Sequence, residues 1–193
     1  MATATKLATY EDLLALPDDR RAEVLGGQVV TQPSALFRHG RVASSLTGYI
    51  GRPHDYDNDG PDAWWIVGEI DVRFSAHDIV RPDVAGWRRS RLASPLDHGD
   101  QRPIEVVPDW ICEVLSPSNE RHDRVYKQQL YARHGVGHFW IIDPAEQTLE
   151  AYTLEGGRWV VFGVFDGTAT VRIPPFETTV LAVGRLFPPA GTP

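Results

Sequence analysis

Apolar and polar positions alternate with changing period along this chain, and the changes mark its elements. Leu13, Leu14 and Leu16 follow Thr9-Tyr10-Glu11-Asp12, which predicts a short helix with Thr9 as N-cap, Asp12 reaching back and Pro17 ending it. Ala22 to Leu25 and Gln28 to Thr31 flank Gly26-Gly27 and read as a β-hairpin with Glu23 on its first strand. Val42, Leu46, Tyr49 and Ile50 recur at helical spacing; the predicted helix is capped by Ser34, closed by Arg52-Pro53, and carries His39 and Arg41 in its first turns. Residues 55–62, rich in Asp, Gly, Asn and Pro, read as a loop, because the Glu that would complete an EF-hand calcium loop is missing and helix patterns do not flank both sides.

Strand patterns follow at 64–67, 70–74, 84–87 and 110–115, and residues 93–108 form a polar, proline-bearing excursion. Ser118 opens the clearest helical pattern, through Val125, Tyr126, Gln129, Leu130 and Ala132 to Gly135 in a C-terminal left-handed position. The β-rich run His138 to Asp143 comes next, so residues 110–143 predict a β-α-β crossover with parallel strands. Residues 149–154, 159–165 and 168–173 predict an antiparallel C-terminal meander turning at Gly156-Gly157 and Asp166-Gly167. The fold class expected is α/β: a mixed β-sheet flanked by helices.

The length of 193 residues suits one domain, 1–193, and 42% hydrophobic content is enough for a core without staples. A single cysteine, Cys112, excludes a disulfide framework and points to a reducing compartment, with the cytoplasm as the expected location. The first residues lack a signal-peptide pattern, and no run of about 18 apolar residues exists to span a membrane. A formal net charge of −7 argues against a protein that coats nucleic acid through a broad positive field. Two local basic clusters, Arg38-His39-Gly40-Arg41 and Arg88-Arg89-Ser90-Arg91, read either as phosphate contacts or as solvated faces.

Arg81-Pro82-Asp83 precedes Ile111-Cys112-Glu113-Val114-Leu115-Ser116, which runs into the helix carrying Lys127. Two carboxylates on neighbouring strands and an ammonium can surround one hard divalent cation, Mg²⁺ or Mn²⁺, and that arrangement suits metal-assisted phosphodiester hydrolysis. Each residue has a plainer reading. Asp83 could cap a turn after Pro82, Asp123 and Lys127 could be a surface ion pair one helical turn apart, Glu23 could pair with Arg20 or Arg21, and His39 could be packed or solvated. Glu113 is harder to dismiss, because an unpaired carboxylate in an apolar strand is costly. Glu69 and Asp71 read as an outer strand face, the tryptophans as packing, and Cys112 as a small hydrophobe facing away from Glu113.

Taken together, these motifs, with Tyr131-Ala132, Gly135-Val136 and Phe139-Trp140-Ile141-Ile142-Asp143-Pro144, resemble the Uma-two-type restriction endonucleases of the PD-(D/E)XK nuclease superfamily, over nearly the whole chain. The resemblance implies a restriction-endonuclease-like core and a Mg²⁺-dependent DNA endonuclease. It implies that Asp83 and Glu113 ligate the metal with the backbone carbonyl of Val114, and that a homodimer cleaves both strands. The superfamily lysine is expected two residues after the glutamate, where this chain has Leu115, so Lys127 is the candidate replacement. Glu23 and His39 match accessory positions. The alternatives are a catalytically inactive nuclease-fold interaction module and a small-phosphodiester hydrolase, the latter disfavoured by the lack of a nucleotide-binding glycine loop.

Overall fold

Helix α1 (Tyr10–Leu14) forms where expected in the computed structural model, which describes residues 6–17, 20–92 and 102–189. The Asp12 carboxylate accepts the Thr9 N–H at 2.8 Å, occupying one otherwise orphaned donor of the helix start. Strands β1 (Arg21–Leu25) and β2 (Gln28–Gln32) make the predicted hairpin. Its turn needs glycine, since Gly26 and Gly27 sit at φ 58° and 75°.

Helix α2 (Phe37–Gly51) corrects two boundaries. Its N-cap is Leu36 rather than Ser34 and carries no side-chain cap, so the exposed first turn leaves its N–H groups to water. The helix does not close at Arg52-Pro53 but passes into a π-helical segment, Arg52–Tyr56, in which the Asp57 N–H donates to the Arg52 carbonyl at 2.9 Å. Pro53 lies inside this continuous helix and donates no N–H to the preceding turn, and the wider π-turn falls at that point. Asp55 therefore lies in a helix rather than the expected loop; its buried carboxylate accepts the Ile66 N–H at 3.1 Å and meets Arg89 at 2.8 Å.

The central sheet has six strands in the order β10-β9-β8-β7-β6-β3: β3 (Trp64–Gly68), β6 (Val84–Arg88), β7 (Trp110–Val114), β8 (His138–Asp143), β9 (Thr148–Glu155) and β10 (Arg158–Asp166). Only β7 and β8 run parallel, joined through a π-helical segment, His122–Lys127, and α3 (Gln128–His134), as the β-α-β reading requires. Gly135 ends that helix in the left-handed region at φ 79°. The helix starts after a turn at residues 117–119, so Ser118 is not its cap.

A second sheet was not anticipated. Strands β4 (Val72–Ser75) and β5 (Asp78–Val80) join the hairpin in a four-stranded antiparallel sheet of order β2-β1-β5-β4. The expected strand from Ile70 starts only at Val72, because Glu69 adopts φ 54°. The third meander strand is also corrected: β11 (Thr170–Val171) pairs with β12 (Leu181–Ala182) instead of β10. Of the expected excursion at 93–108, residues 93–101 lie outside the described ones; residues 102–108 carry only an isolated bridge from Ile104 to Val72.

The central sheet is buried on both faces at its inner strands, whereas β10 is largely exposed. Against one face, α2 sets Val42, Leu46 and Ile50 onto Trp64, Val84, Trp110, Cys112 and Trp140. Against the other lie Leu130, Tyr131 and Val136, with Val72, Val80 and Leu25 of the second sheet. Each such side chain contributes about 1.5–3 kcal/mol of burial, and the tryptophans pack rather than form a stacking platform. No helix among the described residues is long and apolar enough to cross a membrane.

Candidate active site

The second sheet, the middle of the central sheet and the helix after β7 meet at one buried charged cluster. Glu23 comes from β1, Glu113 from β7, and Asp123 and Lys127 from the π-helical segment; all four are at most 2% exposed. The Lys127 ammonium lies 3.0 Å from Glu23 Oε1, 3.2 Å from Glu113 Oε1 and 3.1 Å from Asp123 Oδ1. Lys127 is the partner of the buried Asp123 carboxylate, at ion-pair distance, and no other group bonds its oxygens among the described residues. Asp123 and Lys127 are thus no surface pair, and Glu23 turns to Lys127 while Arg21 pairs with Glu69.

Further bonds fix these groups. Glu23 accepts the Arg81 backbone N–H and the Gln32 amide, both at 2.7 Å. Tyr131 donates its hydroxyl to Glu113 Oε1, the same oxygen that faces Lys127. Sequence reasoning gave Tyr131 no role, although its spacing from Lys127 repeats that from Asp123 to Lys127. A four-residue step overshoots one α-turn by about 40°, whereas the wider i→i+5 turn falls short, so a π-turn followed by an α-turn points Asp123, Lys127 and Tyr131 the same way.

Asp83, immediately before β6, forms the rim of the cluster. Its Oδ2 accepts the Val114 N–H at 2.7 Å and its Oδ1 lies 3.1 Å from His39 Nε2 of α2. Both carboxylate oxygens are engaged, so Asp83 does more than cap a turn. In an extended strand the N–H and C=O of one residue point the same way, and the Val114 carbonyl therefore also faces the Asp83 side of β7. Outside this pair opens a cleft of about 240 Å³ lined by Arg21, Gln32, His39, Asp83, Ser116 and Asn119, among others.

Protonation follows from these contacts. Burial pushes the Glu113 carboxyl well up; Lys127 opposes this, while Asp123, Asp83 and Glu23 add to it. Burial likewise pushes Asp123 up to about 6 against the pull of Lys127. Burial disfavours the Lys127 ammonium, yet Asp123, Glu113 and Glu23 outweigh it and hold the amine charged. Burial also lowers His39, but the bond and charge of Asp83 win and raise it. Three carboxylates share one ammonium, and the crowding is relieved by a proton on the upward-shifted Glu113 or by a cation that displaces it.

Leu115, where the superfamily lysine is expected, is 5% exposed and packs in the core below the sheet. The ammonium reaches Glu113 from the helix instead. Among the described residues no three His, Cys, Asp or Glu side chains converge as a metal-holding group. Cys112 is buried with its thiol pushed well up by burial, on the opposite face from Glu113. The second basic cluster is structural: Arg89 bonds Asp55, Asp59 and the Trp64 carbonyl and lies over Trp65, and Arg91 meets Asp109. Arg38 and Arg41, on the exposed side of α2, remain solvated.

The mixed α/β sheet with this crossover has a counterpart among solved structures. The crystal structure of "a putative nuclease belonging to DUF820" from Anabaena variabilis matches it with a TM-score of 0.73 and 25% identity, over 93% of this chain and 97% of that one. The Uma2 family model, "Putative restriction endonuclease", matches residues 7–184, and the chain belongs to that family. No curated protein matches it.

Proposed function

We propose that the chain is a divalent-metal-dependent endonuclease hydrolysing DNA phosphodiester bonds, with Asp83, Glu113 and Lys127 as its central groups and Glu23 and His39 as accessories. The observation that carries this reading is the buried Lys127 ammonium, gathered by Glu23, Glu113 and Asp123 from three separate elements, while Asp83 and His39 line an open cleft. A scaffold has no need of such a cluster, since charges buried this way repay their desolvation poorly.

Asp83, Glu113 and the Val114 carbonyl fit a Mg²⁺ or Mn²⁺ ion in donor type, being hard oxygens, and such a cation would displace the proton that burial and the neighbouring carboxylates favour on Glu113. Such an ion supplies positive charge for the phosphoryl oxygens and lowers the pKa of the attacking water. Lys127 and Tyr131 share Glu113 Oε1 and so hold that carboxylate in one rotamer. Lys127 also brings a fixed positive charge close to where charge builds in the transition state. His39, held on Asp83 and facing the cleft, can donate a hydrogen bond or a proton to a phosphate entering there. Arg38, which lines an adjoining hollow with His39, and Arg41, elsewhere on the same helix, are exposed cations that offer phosphate contacts on a chain of net charge −7.

The test is nicking of supercoiled plasmid in Mg²⁺ or Mn²⁺, with and without chelator, by folded wild type, Asp83→Asn and Glu113→Gln. The proposal expects chelator-sensitive nicking by wild type and its loss, by roughly 10²-fold or more, in both variants. No metal-dependent nicking by wild type would leave the fold as a non-catalytic interaction module.

A further inference from the structure

We infer that the outer edge of β10 pairs with the same edge of a second copy, extending the central sheet across a two-fold axis. This does not rest on the nuclease reading. β10 ends the six-stranded sheet, and from Arg158 to Phe165 no backbone hydrogen bond leaves its outer side among the described residues. Such an edge is ordinarily blunted by charge, proline, a bulge or a covering element. Here residues 159–165 hold no charge and no proline, and Val160, Val161, Phe162 and Val164 are 44%, 55%, 49% and 62% exposed. Only the bulge at Phe162 interrupts the strand.

The pattern suits a copy of itself. Extending a sheet by antiparallel pairing about a two-fold axis keeps each face on its own side, so residues meet only others of the same face. Val161 lies opposite Tyr152 and Val164 opposite Glu150, whose carboxylate meets Arg124 of the π-helical segment; both valines thus stand on the helix side of the sheet. Val160 and Phe165 stand on the other side, opposite Thr153 and Leu149. With Phe162 bulged out of register in both copies, an axis through Gly163 satisfies both faces at once: Val161 meets Val164 of the second copy, and Val160 meets its Phe165. The strand's only charges, Arg158 and Asp166, lie at its two ends. Antiparallel pairing brings the basic end of each copy beside the acidic end of the other, whereas parallel pairing would set like beside like. The axis reverses strand direction, so the two catalytic clefts open towards opposite ends of the extended sheet and each works alone.

Light scattering after gel filtration at tens of micromolar tests this. Wild type is expected at twice 21.5 kDa, and Val161→Lys/Val164→Lys at 21.5 kDa with unchanged circular dichroism and unchanged nicking per chain. As a check independent of that variant's folding, Val161→Cys/Val164→Cys is expected to cross-link to a dimer on oxidation, which wild type, with its single buried Cys112, does not. A monomeric wild type, a lysine variant that stays dimeric, or a cysteine variant that fails to cross-link would each overturn the pairing.

Discussion

Lys127 is the residue on which the cluster depends, and its neighbours divide into those that need it and one that overloads it. Replacing it with methionine leaves Glu23, Glu113 and Asp123 buried without a counter-charge, a defect of about 3–5 kcal/mol. Asp123→Asn instead removes one of the three carboxylates that share Lys127, whose oxygens no other group bonds among the described residues, and is expected to change stability by under about 1 kcal/mol. Urea unfolding at pH 8 checks the pair; equal losses would contradict this charge count. A second residue-scale expectation concerns His54, which is packed on Phe176 and bonded to Thr179, with its pKa lowered by burial against the opposing charge of Glu177. A folded-state pKa below the unfolded value of about 6.5 means that the unfolded chain takes the proton first. Stability is therefore fully present above that pH and falls as the pH drops through it. His138, also lowered by burial, acts in the same direction. A His54→Asn variant should show a smaller fall in melting temperature between neutral and mildly acidic pH than wild type; an identical fall would contradict it.

At the scale of elements, the parts legible in the sequence were those with local signals. The Gly26-Gly27 hairpin, the α2 stripe of Val42, Leu46 and Ile50, the Gly135 stop and the parallel β7–β8 pair each announce themselves in a short window. The two π-helical segments do not, because one widened turn barely alters apolar spacing, yet this widening aligns Asp123, Lys127 and Tyr131. β5 is only Asp78–Val80, too short to show alternation, and it pairs across a long sequence gap with β1, so the sheet presenting Glu23 to Lys127 went unread. Asp83 and Glu113 were legible through their motif, whereas the contact that keeps Lys127 buried was not. Where β3, β6 and β7 pack, Gly86 leaves no room for a methyl group: a Cβ there would lie 3.1 Å from Ile66 Cδ1 and 3.1 Å from Trp110 Cε3. Gly86→Ala should cost about 1–3 kcal/mol by overpacking, measured by thermal or urea unfolding; no loss would mean that this layer yields freely.

For the whole molecule, a net charge of −7 confines phosphate attraction to local basic groups. Binding of a DNA duplex should weaken steeply with salt, and Arg38→Ala and Arg41→Ala should each lower the slope of log affinity against log salt by about 1. Fluorescence anisotropy across a salt series measures that slope; an unchanged slope would move the DNA track off α2. Self-pairing at β10 lies at the far end of the central sheet from β6, so assembly and cleavage can be altered separately.

In the proposed reaction, an ammonium delivered by the helix after β7 takes the place of the lysine that Leu115 displaces from the strand. Its most direct test is the single-turnover nicking rate of folded Lys127→Met beside wild type, with Mn²⁺ affinity measured in parallel by calorimetry. The expected result is a rate lower by about 10²-fold or more while Mn²⁺ still binds. An unchanged rate would contradict it and reduce Lys127 to a counter-ion for buried carboxylates.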